Sequence, residues 1–145
     1  MVTIMSTPVT DDVTPSIKTV FDAVEYIKKN AKTEHQKGML WERVSRWYLR
    51  NDPEMQQFIG RVWKATDPDC PIAYKTDTGV DIIAEDTQNE GEYWAIQCKA
   101  YDVEHEFTWE ELSTFIASVA TDSRYTGCML LSTATNISNQ LAENF

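Results

Sequence analysis

Two short apolar runs carry the residues that could do chemistry. Gly79-Val80-Asp81-Ile82-Ile83 places an acid at the start of the first, and Tyr93-Trp94-Ala95-Ile96-Gln97-Cys98-Lys99 places a Gln-x-Lys near the end of the second. Strand side chains alternate between faces, so Gln97 and Lys99 share one face, and Trp94, Ile96 and Cys98 take the other. A carboxylate, an amide and an ammonium on paired strands can hold a hard cation and a water beside a phosphodiester. Hydrolysing that ester requires a polarised phosphate, an activated water and a neutralised leaving oxygen. Mg²⁺ takes oxygen ligands from a few protein atoms and keeps waters for the rest. Asp81 is the best carboxylate ligand, Gln97 offers its amide oxygen, and the Ile96 or Cys98 carbonyl can add another. Lys99 supplies the positive charge that orients water or offsets charge on the phosphate.

These residues need a scaffold, and the pattern around them supplies one. Strands are expected at 80–85 and 93–101, joined by the polar hairpin loop 86–92. Thr108 and Glu111 have the spacing of a capping box at the start of a helix whose apolar face is Leu112, Phe115, Ile116, Val119 and Ala120. Cys128-Met129-Leu130-Leu131 is a continuous apolar run, as in a strand buried on both faces. The strand–helix–strand order from 93 to 132 implies a right-handed crossover between parallel strands. Upstream, residues 34–49 read as a helix with a Leu40–Val44–Trp47 stripe, broken by Asn51-Asp52-Pro53. A short helix is expected at 54–59, an edge-like strand at 61–65 and a loop at 66–78. A leader helix begins near Thr14-Pro15 and ends at Lys28-Lys29-Asn30, after a frayed segment 1–13. A last helix is expected from Asn136 or Ser138. The fold class is α/β, a mixed sheet flanked by helices, with a leader at 1–33 and one domain at 34–145.

Composition narrows the function classes. The 145 residues are 42% hydrophobic with five tryptophans, enough for a packed core and against disorder. The net charge of −10 is unfavourable for a stand-alone DNA binder, so most affinity for DNA is expected from elsewhere. The three cysteines, Cys70, Cys98 and Cys128, lie far apart with no CxxC pair, which excludes the usual zinc pattern and fits a reducing cytoplasm. No basic n-region of a signal peptide is present, and no apolar run approaches the roughly 20 residues of a membrane span.

The Asp81…Gln97-x-Lys99 arrangement resembles the PD-(D/E)xK nuclease superfamily, in its Mrr-like branch, where Gln replaces the usual acid. The helix, strand, motif hairpin, helix, strand order of that family is reproduced over residues 34–145. The resemblance implies a restriction-endonuclease-like fold and a Glu on the first core helix, which here matches Glu42 in Leu40-Trp41-Glu42-Arg43. Glu42 would then make up for the carboxylate that Gln97 lacks, although on a helical wheel it falls opposite the apolar stripe. Only a helix packed on more than one side brings it to the metal. Gly38…Trp41-Glu42-Arg43 with Thr78-Gly79-Val80-Asp81-Ile82 and Trp94-Ala95-Ile96-Gln97-Cys98-Lys99 is similar to the N-terminal nuclease of single-polypeptide translocating restriction–modification enzymes (type ISP). That likeness implies Mg²⁺ (or Mn²⁺) with Asp81, Glu42 and Gln97 as ligands, and double-stranded DNA as substrate. It also implies an ATP-driven helicase-like motor and an adenine methyltransferase on the same full-length chain.

Each residue also has a plain structural reading. Asp81 can cap a turn, and Gln97 and Lys99 can line a polar edge strand; the apolar run around them argues for a central strand instead. Asp77 reads as a loop residue, Glu85 as solvated two pleats from Asp81, and His105 as a surface-loop histidine without a clear partner. Lys64 and Lys75 read as solubilising charge. Two other functions stay open from sequence: a stand-alone modification-dependent or resolvase-like nuclease, and an acidic interaction module or DNA mimic without catalysis.

Overall fold

A computed structural model describes residues 2–3, 20–72, 78–100, 104–134 and 136–139. In chain order the elements are β1 (Val2–Thr3), α1 (Val20–Asn30), α2 (Glu34–Asn51), a 3-10 turn η1 (Met55–Gln57), β2 (Ile59–Lys64), β3 (Ile82–Asp86), β4 (Tyr93–Lys99), β5 (Glu106–Phe107), α3 (Trp109–Ala120), β6 (Tyr125–Ser132) and β7 (Asn136–Ile137). Five strands form one sheet in the order β1-β6-β4-β3-β2, and β5 pairs with β7. β2, β3 and β4 run antiparallel to their neighbours, whereas β4 pairs parallel with β6 across α3. The sheet is therefore mixed, as expected, with β2 at an edge and the Gln-x-Lys strand in the middle. Among the described residues no helix is long and apolar enough to cross a membrane.

Local chemistry fixes the helix ends. Thr33 caps α2 by accepting the Gln36 N–H at 3.1 Å. Asp52 precedes Pro53 and adopts extended dihedrals (φ −68°, ψ 125°), which stops α2 at Asn51. The expected capping box forms in part: Thr108 Oγ1 accepts the Glu111 N–H at 3.4 Å. One core lies between the sheet and α1/α2. There Ala23, Ile27, Trp41, Val44, Tyr48 and Leu49 pack on Ile82, Ala84, Ile96, Met129 and Leu131. Trp41 ties the layers together, its indole N–H donating to the Leu131 carbonyl at 3.1 Å. The other face carries Val80, Ile83, Ala95 and Tyr125 against Phe115 of α3. Ala95, Ile96 and Gln97 are all buried in succession, the mark of a central strand covered on both sides.

At the chain's ends the structure departs from expectation in part. The leader was expected to fray, yet Val2–Thr3 adds a parallel edge to β6; residues 4–19, including the Thr14-Pro15 helix start, lie outside the described residues. A last helix was expected from Asn136 or Ser138. Asn136–Ile137 pairs parallel with β5 and the Ser138 N–H donates to the Phe107 carbonyl at 2.9 Å, while the next residue, Asn139, is helical, so a helix begins within a residue of Ser138. Residues 140–145 lie outside the described residues, as do 73–77 of the expected loop 66–78.

Candidate active site at the open end of the central hairpin

β3 and β4 pair regularly from Glu85 with Tyr93 down to Ile82 with Ile96, and there the ladder stops. β4 runs on to Lys99, still paired with β6 on its other side. Gly79 parts the strands on the β3 side. Its φ of +76° is a left-handed conformation that favours glycine, and it turns the chain away from the sheet. Asp81 sits at the parting point. Its N–H donates to the Ile96 carbonyl at 2.9 Å, and its Oδ2 accepts the Cys98 N–H at 2.8 Å. The carboxylate thus takes the backbone donor that β3 no longer satisfies, and is held at the mouth of the opening hairpin.

Gln97 belongs to the α3 face of β4. Ala95 packs on that side and Ile96 on the other, and a Cβ added to Gly79 would stand 3.1 Å from both Gln97 Nε2 and Phe115 Cβ. Gln97 is only 5% exposed, and its Oε1 meets no hydrogen-bond partner among the described residues. A buried acceptor left unmatched costs about 1–3 kcal/mol, so this amide oxygen is open to a donor or cation that the described residues do not supply. Lys99, two residues on, shares the Gln97 face by strand alternation and is half-buried. Its carbonyl accepts the Thr133 N–H at 3.4 Å.

Glu42 approaches from the opposite layer. α2 buries Trp41, Val44, Ser45, Trp47, Tyr48 and Leu49. At 100° per residue this arc is about 200° wide, and Glu42 lies at its margin beside Leu49. The helix is packed on more than one side, so Glu42 is half-buried despite facing away from the Leu40–Val44–Trp47 stripe. Burial pushes its carboxyl above the ordinary 4.5, outweighing the nearby positive charges of Arg46, Lys64 and His35. Glu42 and Asp81 both act on Cys98. Burial drives that thiol well up and the Asp81 charge adds to it; a Ser45 hydrogen bond opposes, Glu42 again raises it, and Arg46 lowers it. The structure therefore brings Asp81, Gln97 and Lys99 together at one strand end, with Glu42 reaching Cys98 from the α2 side of the sheet.

Among the described residues no three His, Cys, Asp or Glu side chains gather into a metal-binding group. The donor set at the hairpin mouth is different: one carboxylate, one orphaned amide oxygen and strand carbonyls. That set fits a hard cation that keeps much of its water, and does not fit zinc.

Other candidates fall elsewhere. Glu85 forms an exposed ion pair with Arg61 at 3.4 Å, away from Asp81's end of β3. His105 has the partner the sequence did not reveal, Glu111 Oε2 at 3.0 Å, and its ring meets Phe107 edge-on. Lys64 is exposed. Lys75 and Asp77 lie outside the described residues. The sequence reading missed Arg43, Arg46 and Arg50, which line one cleft with Trp47. Their i, i+3, i+7 spacing was the available signal.

Residues 50–145 match the model of a restriction endonuclease family, Mrr_cat_2. No curated protein and no solved structure matches the chain. The matched span takes in the hairpin with Asp81, Gln97 and Lys99, and the mixed sheet with flanking helices is a restriction-endonuclease-like α/β arrangement.

Proposed function

The chain belongs to that restriction endonuclease family, and from this premise we propose that it is a Mg²⁺-dependent DNA endonuclease domain with its site at the open hairpin end. The observation that carries the reading is the pairing of a fixed carboxylate with a buried, unmatched amide oxygen where β3 leaves β4. Asp81, held by the Cys98 N–H, and Gln97, through Oε1, are the proposed cation ligands, with strand carbonyls beside them. Glu42 is the proposed further acid, closing the site from α2. A bound Mg²⁺ supplies Lewis-acid polarisation of the phosphate and a more acidic water. The chain's own part is positional and electrostatic. Asp81 keeps one orientation because its backbone and side chain both bond to β4. Lys99 places a positive charge on the Gln97 face, where it offsets negative charge gathering on the phosphate and on the departing oxygen. Val80, Ile83 and Phe115 form the apolar cluster on the Gln97 face and keep the inner side of the site dry, which strengthens each of these interactions.

The type ISP likeness extends the proposal. The domain is the cleavage module of an ATP-driven translocating restriction–modification enzyme, with the helicase-like motor and methyltransferase delivering it to double-stranded DNA. The test is nicking of supercoiled plasmid with Mg²⁺ or Mn²⁺ by the wild type, Asp81→Ala and Lys99→Ala, with Mn²⁺ binding followed in parallel by paramagnetic resonance. Metal-dependent nicking lost in both variants, with Mn²⁺ binding lost in Asp81→Ala, is the expected result. Nicking that survives both substitutions refutes the site.

A further inference from the structure

The chain carries an excess of acid, yet three of its five arginines stand on one face of α2. Arg43, Arg46 and Arg50 follow i, i+3, i+7 spacing and, with Trp47 as floor, line a cleft of about 340 Å³. α2 as a whole holds four Lys or Arg against two Glu, the reverse of the chain's balance. The cleft is anchored to the sheet edge, because Arg50 donates to the Val62 carbonyl of β2 at 3.0 Å. It also borders the catalytic end: Arg46 lies within electrostatic reach of Glu42, Cys98 and Asp67, and Lys64 within reach of Glu42. Neither Arg46 nor Arg50 forms an ion pair among the described residues.

We propose that this arginine cleft is the surface on which the DNA sugar–phosphate backbone lies, leading one strand to the open hairpin end. The choice of ligand rests on the nuclease reading. The chemistry is that of phosphate: arginine forks match its oxygens in pairs, and their concentration on one face runs against the acidic balance of the chain. The geometry agrees. From Arg43 to Arg50 the helix spans about 10 Å, about three 3.4 Å steps of the duplex axis, so the outer two arginines match phosphates three steps apart on one strand. Trp47 lines the same cleft and offers an apolar surface to the aliphatic stems of the arginines.

The experiment is anisotropy of a short labelled duplex in EDTA, where no cleavage intrudes, titrated with the 145-residue chain at rising salt. Each phosphate-contacting arginine contributes about 0.9 to the slope of log affinity against log salt, so three give a loss of about fortyfold between about 50 and about 200 mM. In Arg43→Gln/Arg50→Gln the slope falls by about two. In Arg43→Lys/Arg50→Lys, which keeps the charge, the slope is retained. Circular dichroism confirms that both variants are folded. An unchanged slope in the folded glutamine variant overturns the proposal. So does absence of duplex binding by the wild type at the lowest salt, or equal, equally arginine-dependent binding of polyglutamate. Plasmid nicking separates the two readings. Nicking with an unchanged slope removes the cleft and leaves the nuclease. A fallen slope with no Mg²⁺-dependent nicking even at saturating protein keeps the cleft and removes the nuclease.

Discussion

Gly79 shows how one residue sets the site. With φ at +76°, any side chain pays the left-handed penalty, about 1–2 kcal/mol, and a Cβ would press on both Gln97 Nε2 and Phe115 at 3.1 Å. Gly79→Ala is therefore expected to lower the urea-unfolding free energy by about that amount or more, and to reduce nicking by displacing the Gln97 amide. An unchanged unfolding midpoint would contradict the strain. The shared face of Gln97 and Lys99 was legible beforehand because strand alternation is a rule of period two and needs no partner to apply. Glu42 was only half legible: the wheel put it opposite the stripe, but not that the buried arc widens to Leu49. His105 does lie on a surface loop, as read, but its partner was missed: Glu111 sits beyond β5 and a helix cap, where no periodicity links them.

The hairpin that carries the site is held at its closed end by Asp86. Gln88 N–H and Asn89 Nδ2 donate to its carboxylate at 2.9 and 2.8 Å, while Gly91 turns the chain at φ +82°. Burial pushes the Asp86 carboxyl up, but hydrogen bonds from the Asn89 side chain, the Gln88 backbone, the Thr126 side chain and the Asn89 backbone outweigh it and hold the carboxyl below 3.8. A depressed folded pKa contributes stability above the unfolded value, and that stability is lost as pH falls through the folded one. Asp86→Asn should therefore cost about 1.5–3 kcal/mol at neutral pH, the worth of hydrogen bonds to a charged group. The gap between variant and wild type should narrow as pH drops below 3.8, measured by urea denaturation at several pH values. A gap independent of pH would locate the cost in packing instead. At this scale the long elements were readable and the short ones were not. The hairpin was expected at 80–85 and 93–101, and it pairs as Ile82–Asp86 with Tyr93–Lys99. The difference is Asp81 itself, whose side chain replaces a rung of the ladder. β1, β5 and β7 have two residues each, too few to show alternation, and they exist only because a distant strand offers an edge.

On the scale of the whole molecule, a net charge of −10 and a local arginine face pull in opposite directions. Phosphate contacts on α2 can orient a duplex, but the surrounding acids repel it, and the balance is a weak, salt-sensitive encounter. In a translocating enzyme such weakness is a safeguard, since a module that binds DNA poorly by itself does not cut at random. A tether changes the terms without touching the site: it turns binding into an intramolecular event at an effective concentration near mM, with avidity gains of about 10²–10⁴. Fusing the chain by a flexible linker to a sequence-independent duplex-binding domain should therefore raise Mg²⁺-dependent nicking at low protein concentration by about 10²–10⁴-fold. The same fusion carrying Asp81→Ala should stay silent, because delivery does not replace the carboxylate. Rates plotted against protein concentration decide it. If the fused and free chains converge at high concentration, weak encounter is what limits the free domain. If the fused chain is no faster at any concentration, the limiting factor lies in the site itself and delivery is not what the free domain lacks.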